Sequence, residues 1–208
     1  MLAQQGIALI YSLSGGLTYT GSIALAISTF LGYLIIKHCL SYDGTHTKVQ
    51  FDKQFYKTIL IRVLEIFGTL FIWNILYKNI ILHNNIGEST NQQTINSFLN
   101  TPLNTIFIIL FTCVLAPFIE EFCFRYLIIF NNKTKARVIT STILFTLMHL
   151  IQQPLSTPIN IWFLYFGQYF IIGIWLGYNF YKNENYSQNV LIHALWNTLS
   201  MSLILIFG

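Results

Sequence analysis

Glu120, Glu121 and Arg125 lie within about a turn and a half of one another, inside an apolar run from about residue 103 to 130. In the middle of a membrane-spanning helix a charged side chain costs roughly 2.5–3.5 kcal/mol on insertion scales. Three such groups are sustained only where they face a protein interior, and the default reading of the cluster is a functional site. Glu121 and Arg125 are four residues apart and share a helix face, where they can pair, whereas Glu120 is turned about 100° away. Glu120 is therefore the carboxylate available for chemistry. Pro117 cannot donate to the Cys113 carbonyl, so the helix is expected to kink or open one turn before the glutamates. Two other apolar runs carry imidazoles: His149 closes Phe145-Thr-Leu-Met-His149, and His193 precedes Asn197 by one turn in His193-Ala-Leu-Trp-Asn197. The last two project from one face. Carboxylate and imidazole side chains move protons, either in acid–base catalysis or in a relay.

The elements that must position these groups are set by composition. Of 208 residues, 54% are hydrophobic and 9% charged, the mean hydropathy is +0.59, and an average soluble domain carries about 25% charged residues. The fold class is all-α, a polytopic helical membrane protein. Apolar runs of spanning length fall near residues 17–36, 59–77, 103–130, 138–151, 159–181 and 189–207, with the fourth reaching span length only if its helix begins near Thr134. Residues 2–13 form another apolar piece, set off by Gly15 and Gly16. Its alternatives are an interfacial helix, the start of one long tilted helix, or a seventh span. The polar segments 41–54 and 83–102 read as loops. Nothing divides the chain, so residues 1–208 are a single integral-membrane domain whose motif-bearing core is about 103–207, with the polar site between the last four spans.

Lys and Arg in short loops mark the cytoplasmic side. Lys37, Lys48, Lys53, Lys57 and Arg62 flank the first connection, Lys133, Lys135 and Arg137 the third, and Lys182 the fifth, while the second has only Lys78 and the fourth none. Six spans with both termini outside fit this pattern, and the absence of Lys or Arg before Lys37 argues against a basic signal peptide. The asymmetry accounts for the net charge of +4 without a nucleic-acid partner. Cys39, Cys113 and Cys123 form no paired pattern and read as small core residues. The excess of Ile, Asn, Lys, Phe and Tyr over Ala and Arg points to an AT-rich bacterial genome, hence a bacterial cytoplasmic membrane. Trp162, Tyr165, Phe166, Tyr169 and Phe170 crowd the fifth span and read first as lipid-facing or packing aromatics, with a substrate groove as the sharper alternative. At roughly 1.5 Å per residue, Glu120, His149 and His193 lie about 15, 22 and 10 Å above the cytoplasmic ends of their helices. With tilt, all three can meet in the middle third of the bilayer.

Glu120-Glu121-x-x-x-Arg125, Phe145-x-x-x-His149 and His193-x-x-x-Asn197, in order and each on its own apolar helix, resemble the three-motif signature of the CPBP (CAAX protease and bacteriocin-processing, Abi) intramembrane proteases. The resemblance implies an intramembrane endopeptidase in which Glu120 and His149 hold and deprotonate a water, while His193 and Asn197 serve the oxyanion. Glu121 and Arg125 would support Glu120. It leaves two cofactor alternatives: zinc on Glu120, His149 and His193 with water in the fourth position, or a glutamate-activated water that requires no metal, which is the reading preferred here. Its implied substrates are a hydrophobic peptide, such as a bacteriocin or pheromone precursor, or a lipidated protein, reached within membrane lipid. Two other functions stand beside it. One is a catalytically silent immunity or scaffold protein that binds a peptide or membrane partner. The other is an ion-coupled transporter, disfavoured by small size and the lack of inverted repeats.

Overall fold

A computed structural model of the chain describes residues 52–77, 79, 88–99, 102–130 and 132–207, together with residue 34. The expected first span, residues 17–36, and the apolar piece 2–13 lie outside the described residues except for residue 34, as does most of the first polar loop. The described chain is helical: α1 (Lys53–Leu76), α2 (Thr90–Ser97), α3 (residues 102–130), α4 (Lys135–Leu150), α5 (Ile159–Asn183) and α6 (Tyr186–Phe207). Helix starts follow local side-chain chemistry. Asp52 accepts from the Phe55 N–H at 2.7 Å, Ser89 from Gln92 and Thr134 from Arg137, each satisfying a donor that a helix end leaves without a partner. Helix α5 ends where Glu184 takes a left-handed backbone conformation.

Four described helices are long and apolar enough to cross a membrane: Lys53–Leu76, Asn104–Phe130, Ile159–Asn183 and Tyr186–Ile206. Helix α4, expected to be a span, has 16 residues and so a length of roughly 24 Å, short of the roughly 30 Å hydrocarbon core. It does begin directly after Thr134. The segment 83–102, expected as loop, contains α2, whose Ile95 packs with Phe98, Ile108, Phe111 and Met201. Large apolar side chains such as Leu60, Leu64 and Phe71 on α1, Ile106 and Leu127 on α3, Leu147 on α4 and Leu195 on α6 are exposed. An apolar outer surface spread over every spanning helix is what lipid contact requires.

Helix α3 is the central one. Its most apolar stretch is 44% buried, against 17–28% for the other three spans. It changes pitch three times: after an α-helical start at Pro102–Leu110, π-helical turns at Phe111–Leu115 and Phe122–Phe130 flank a second α-helical piece, Ala116–Glu121. The expected opening at Pro117 thus takes the form of widened turns. The Ala116 N–H bonds back five residues to Phe111, and Pro117, next in line for Thr112, has no N–H. Helices α4 and α5 approach closely at Gly173 and Gly177, where an added Cβ would stand 3.2 Å from Phe145, Thr142 and Val138 side-chain atoms. Small residues permit such approach between membrane helices.

The basic connections share one end of the bundle. Lys133, after α3, pairs with Glu184, after α5, at 2.7 Å, and Arg137 donates to the Ile128 carbonyl at 2.9 Å. At the other end Thr90 of α2 meets Gln153, beyond α4, at 3.2 Å.

Candidate active site

The α-helical piece between the widened turns of α3 presents Glu120 and Glu121 to different neighbours. Glu121 is fully buried, with Oε1 3.1 Å from Arg125 Nη1, the pairing expected from their spacing. The same Oε1 accepts from His193 Nδ1 at 2.7 Å, and Oε2 accepts from the Asn189 amide. Arg125, also fully buried, reaches the Gly173 carbonyl at 3.3 Å and lies over the Phe145 ring at 4.4 Å.

Glu120 faces the other way, into the space between α4 and α6. Its Oε2 stands 3.8 Å from His149 Nε2 and 3.7 Å from His193 Nε2. His149 Nδ1 is 2.9 Å from the Phe145 carbonyl, one turn back, and its ring stacks on Tyr169 with centroids 4.6 Å apart. The partners fix both tautomers. A carbonyl and a carboxylate oxygen only accept, so Nδ1 carries the proton in each neutral imidazole and Nε2 presents a lone pair toward Glu120. Both imidazole Nε2 atoms thus lie within 4 Å of the Glu120 carboxylate.

Asn197 sits beside this trio with part of its amide engaged. Its Nδ2 donates to the Thr112 carbonyl at 2.9 Å, the carbonyl that the π turn and Pro117 leave without a main-chain donor. The expected opening of α3 and the expected polar residue of α6 thus answer one another. One N–H of Asn197 remains for other use.

Glu120, His149, His193 and Asn197 line one cavity of about 400 Å³, with Thr112, Phe145, Tyr169 and Trp196 on its wall and Glu88, Ser89 and Gln92 at the α2 end. Glu121 and Arg125 do not line it, in keeping with a supporting position. Two residues of this neighbourhood lack any mark in the motifs. Tyr169 belongs to the aromatic crowd of α5, yet it lines the cavity, stacks on His149 and meets the Ser89 hydroxyl at 3.3 Å. Asn189 precedes His193 by one turn, and its only sequence signal is a polar residue at i−4 on the His193–Asn197 face of an apolar helix. Trp162, Phe166 and Phe170 of the same crowd form a run of stacked rings, as the packing reading expects. Cys113 is buried and Cys123 half-buried, both free thiols, while Cys39 lies outside the described residues.

Among the described residues no three His, Cys, Asp or Glu side chains are arranged to hold a metal ion. Two donors on tetrahedral zinc lie roughly 3.4 Å apart, and Glu120 Oε2 is farther than that from each imidazole nitrogen.

Residues 102–199 match the family described as Rce1-like, type II CAAX prenyl endopeptidase Rce1-like. The matched segment, just under half of the chain, contains every residue of the cavity trio as well as Glu121, Arg125, Asn189 and Asn197. No curated protein and no solved structure matches the chain.

Proposed function

Since residues 102–199 match the Rce1-like CAAX protease family, a match that supports an intramembrane endopeptidase, we propose that Glu120 is its water-activating base. The observation that carries this is Glu120 Oε2 at 3.7 and 3.8 Å from two imidazole nitrogens on the wall of a cavity. A water among the three acceptors donates one O–H to Glu120 and the other to an Nε2, which turns a lone pair toward a peptide carbonyl in the cavity. As oxygen adds to the carbonyl carbon, Glu120 takes the proton and then delivers it to the leaving nitrogen. The remaining Asn197 N–H is the donor for the developing oxyanion. Glu121, held by Arg125, fixes the His193 ring. No step requires a metal, and the same residues account for both proton transfers.

The substrate is a hydrophobic or lipidated peptide segment. On α6 the cavity runs from His193 to Ile204, away from the end where Lys133 and Lys182 cluster. With that basic end cytoplasmic, the cavity opens toward the outer face, which suits a short secreted peptide such as a bacteriocin or pheromone precursor. The reading is tested by cleavage of a hydrophobic peptide in proteoliposomes, comparing Glu120→Ala with Glu121→Gln and an α1 surface variant such as Leu64→Ala. Loss of about 10²–10⁴-fold in Glu120→Ala is expected. Full processing by Glu120→Ala would refute the protease reading and favour a silent scaffold or immunity role.

A further inference from the structure

Five side chains connect α1 to the site through a buried polar chain. Arg62 Nε donates to Asn179 Oδ1 at 3.3 Å, Asn179 Nδ2 to Asn189 Oδ1 at 2.9 Å, and Asn189 Nδ2 to Glu121 Oε2. Glu121 Oε1 then accepts from His193 Nδ1 at 2.7 Å. Asn179, Asn189 and Glu121 are all fully buried. The two ends of the chain cannot be reversed, because a guanidinium only donates and a carboxylate only accepts. Each carboxamide between them is therefore fixed in orientation. Asn189 confirms this by its second N–H, which goes to the Leu176 carbonyl at 3.1 Å. A flipped amide would point its oxygen at two acceptors. Asn179 is likewise saturated, accepting also from Asn183 at 2.9 Å and donating to Gln188 at 3.4 Å.

We propose that Asn189 is a positioning residue which, with Asn179 and Arg62 behind it, pins Glu121 Oε2 so that Oε1 holds His193 as the Nδ1–H tautomer with Nε2 facing Glu120. The proposal rests on the catalytic reading of His193, though its geometry does not. Asn189 touches neither the cavity nor Glu120, so its effect passes through Glu121 alone. Arg62 lies in α1, outside the family-matched segment, so a part of the chain without a motif reaches into the site. Buried polar groups are retained when their partners are all present, and a missing link exposes the next group to an unmade hydrogen bond.

The experiment pairs kinetics with nitrogen-15 NMR of the His193 ring in detergent micelles, the resonance being assigned by its loss in His193→Gln. In Asn189→Ala the turnover number is expected to fall about 10–100-fold, the range for partners that orient a histidine, with KM unchanged. The ring nitrogens should shift from the Nδ1–H pattern toward a mixture of tautomers. Asn179→Leu, which leaves both Asn189 donors in place, should give a smaller change in the same direction and serves if Asn189→Ala does not fold. An unchanged tautomer in the variants, or a loss confined to KM, overturns the proposal. Since the tautomer is read without substrate, a chain that proves inactive against every peptide still tests Asn189.

Discussion

Arg125→Met removes the one guanidinium that neutralises Glu121 inside the bundle, and its consequence can be worked from the contacts. The pair is fully buried at 3.1 Å, and breaking a buried ion pair by deleting one partner costs about 3–5 kcal/mol because a charge is left without compensation. Two observations move the expected value toward the lower end. Arg125 Nε has no hydrogen-bond acceptor, so burial of the guanidinium is itself incompletely offset in the native protein. Glu121 also retains Asn189 and His193 as donors. Against this, the contact over Phe145 at 4.4 Å is lost, though a methionine occupies much of the same apolar volume. About 3 kcal/mol is expected, which for a chain of this size corresponds to a fall in Tm of about 6–12 °C. Thermal unfolding in detergent, followed by tryptophan fluorescence, provides the measurement. The double variant Glu121→Gln with Arg125→Met should lose less than the sum of the single variants by about 0.5–3 kcal/mol, since a neutral amide no longer needs the cation. A Tm within about 2 °C of wild type for Arg125→Met, with cleavage intact, would refute the idea that this pair holds the site together.

Other outcomes follow from the same geometry. Asn197→Ala strands the buried Thr112 carbonyl and should destabilise by about 1–3 kcal/mol, part of which is recovered in Asn197→Ala with Pro117→Ala, where residue 117 regains an N–H; denaturation in detergent reads both. Gly167→Ala would place a Cβ 2.1 Å from the Trp73 indole, and the forced displacement should cost about 1–3 kcal/mol with a loss of the Trp73 bond to the Leu164 carbonyl visible as a fluorescence change. Tyr169→Leu removes the ring stacked on His149 and is expected to lower the turnover number while leaving Tm within a few degrees, as measured by peptide cleavage and a thermal scan. Protein stripped by chelation to negligible bound zinc is expected to keep full activity. Activity that disappears on stripping and returns in proportion to added zinc would overturn the metal-free mechanism.

Much of this protein is legible in its sequence because the bilayer penalises polarity so heavily. Apolar runs of spanning length identify α1, α3, α5 and α6, and the three charges within α3 mark the site without reference to any partner. The spacing of Glu121 and Arg125 determines that they pair, since four residues on a helix return to one face. The single face shared by His193 and Asn197 follows likewise. Helix α2 was not legible: its eight residues, TNQQTINS, are polar throughout but for Ile95, and no periodicity distinguishes them from loop. Its order comes from Ser89, which caps it, and from Ile95 meeting α3 and α6. The shortness of α4 was legible, and so was its end: the apolar run stops at residue 151, one residue past the helix end at Leu150, with His149 in the last turn.

Tertiary structure decided the contacts that no motif marks. The Thr112 carbonyl needs Asn197 only because α3 adopts a π turn ahead of Pro117, and that choice depends on packing across 85 residues of sequence separation. Asn189 and Asn179 carry no motif, and each is one more polar residue in an apolar helix until Arg62 and Glu121 bracket them. Glu120 Oε2 lies within 4 Å of both imidazoles, the meeting of three helices that counting residues along each span leads one to expect. The sequence by itself determined that Glu120 needs polar company in the membrane. The fold determined, through the fixed donors and acceptors behind His149 and His193, which nitrogen each one presents.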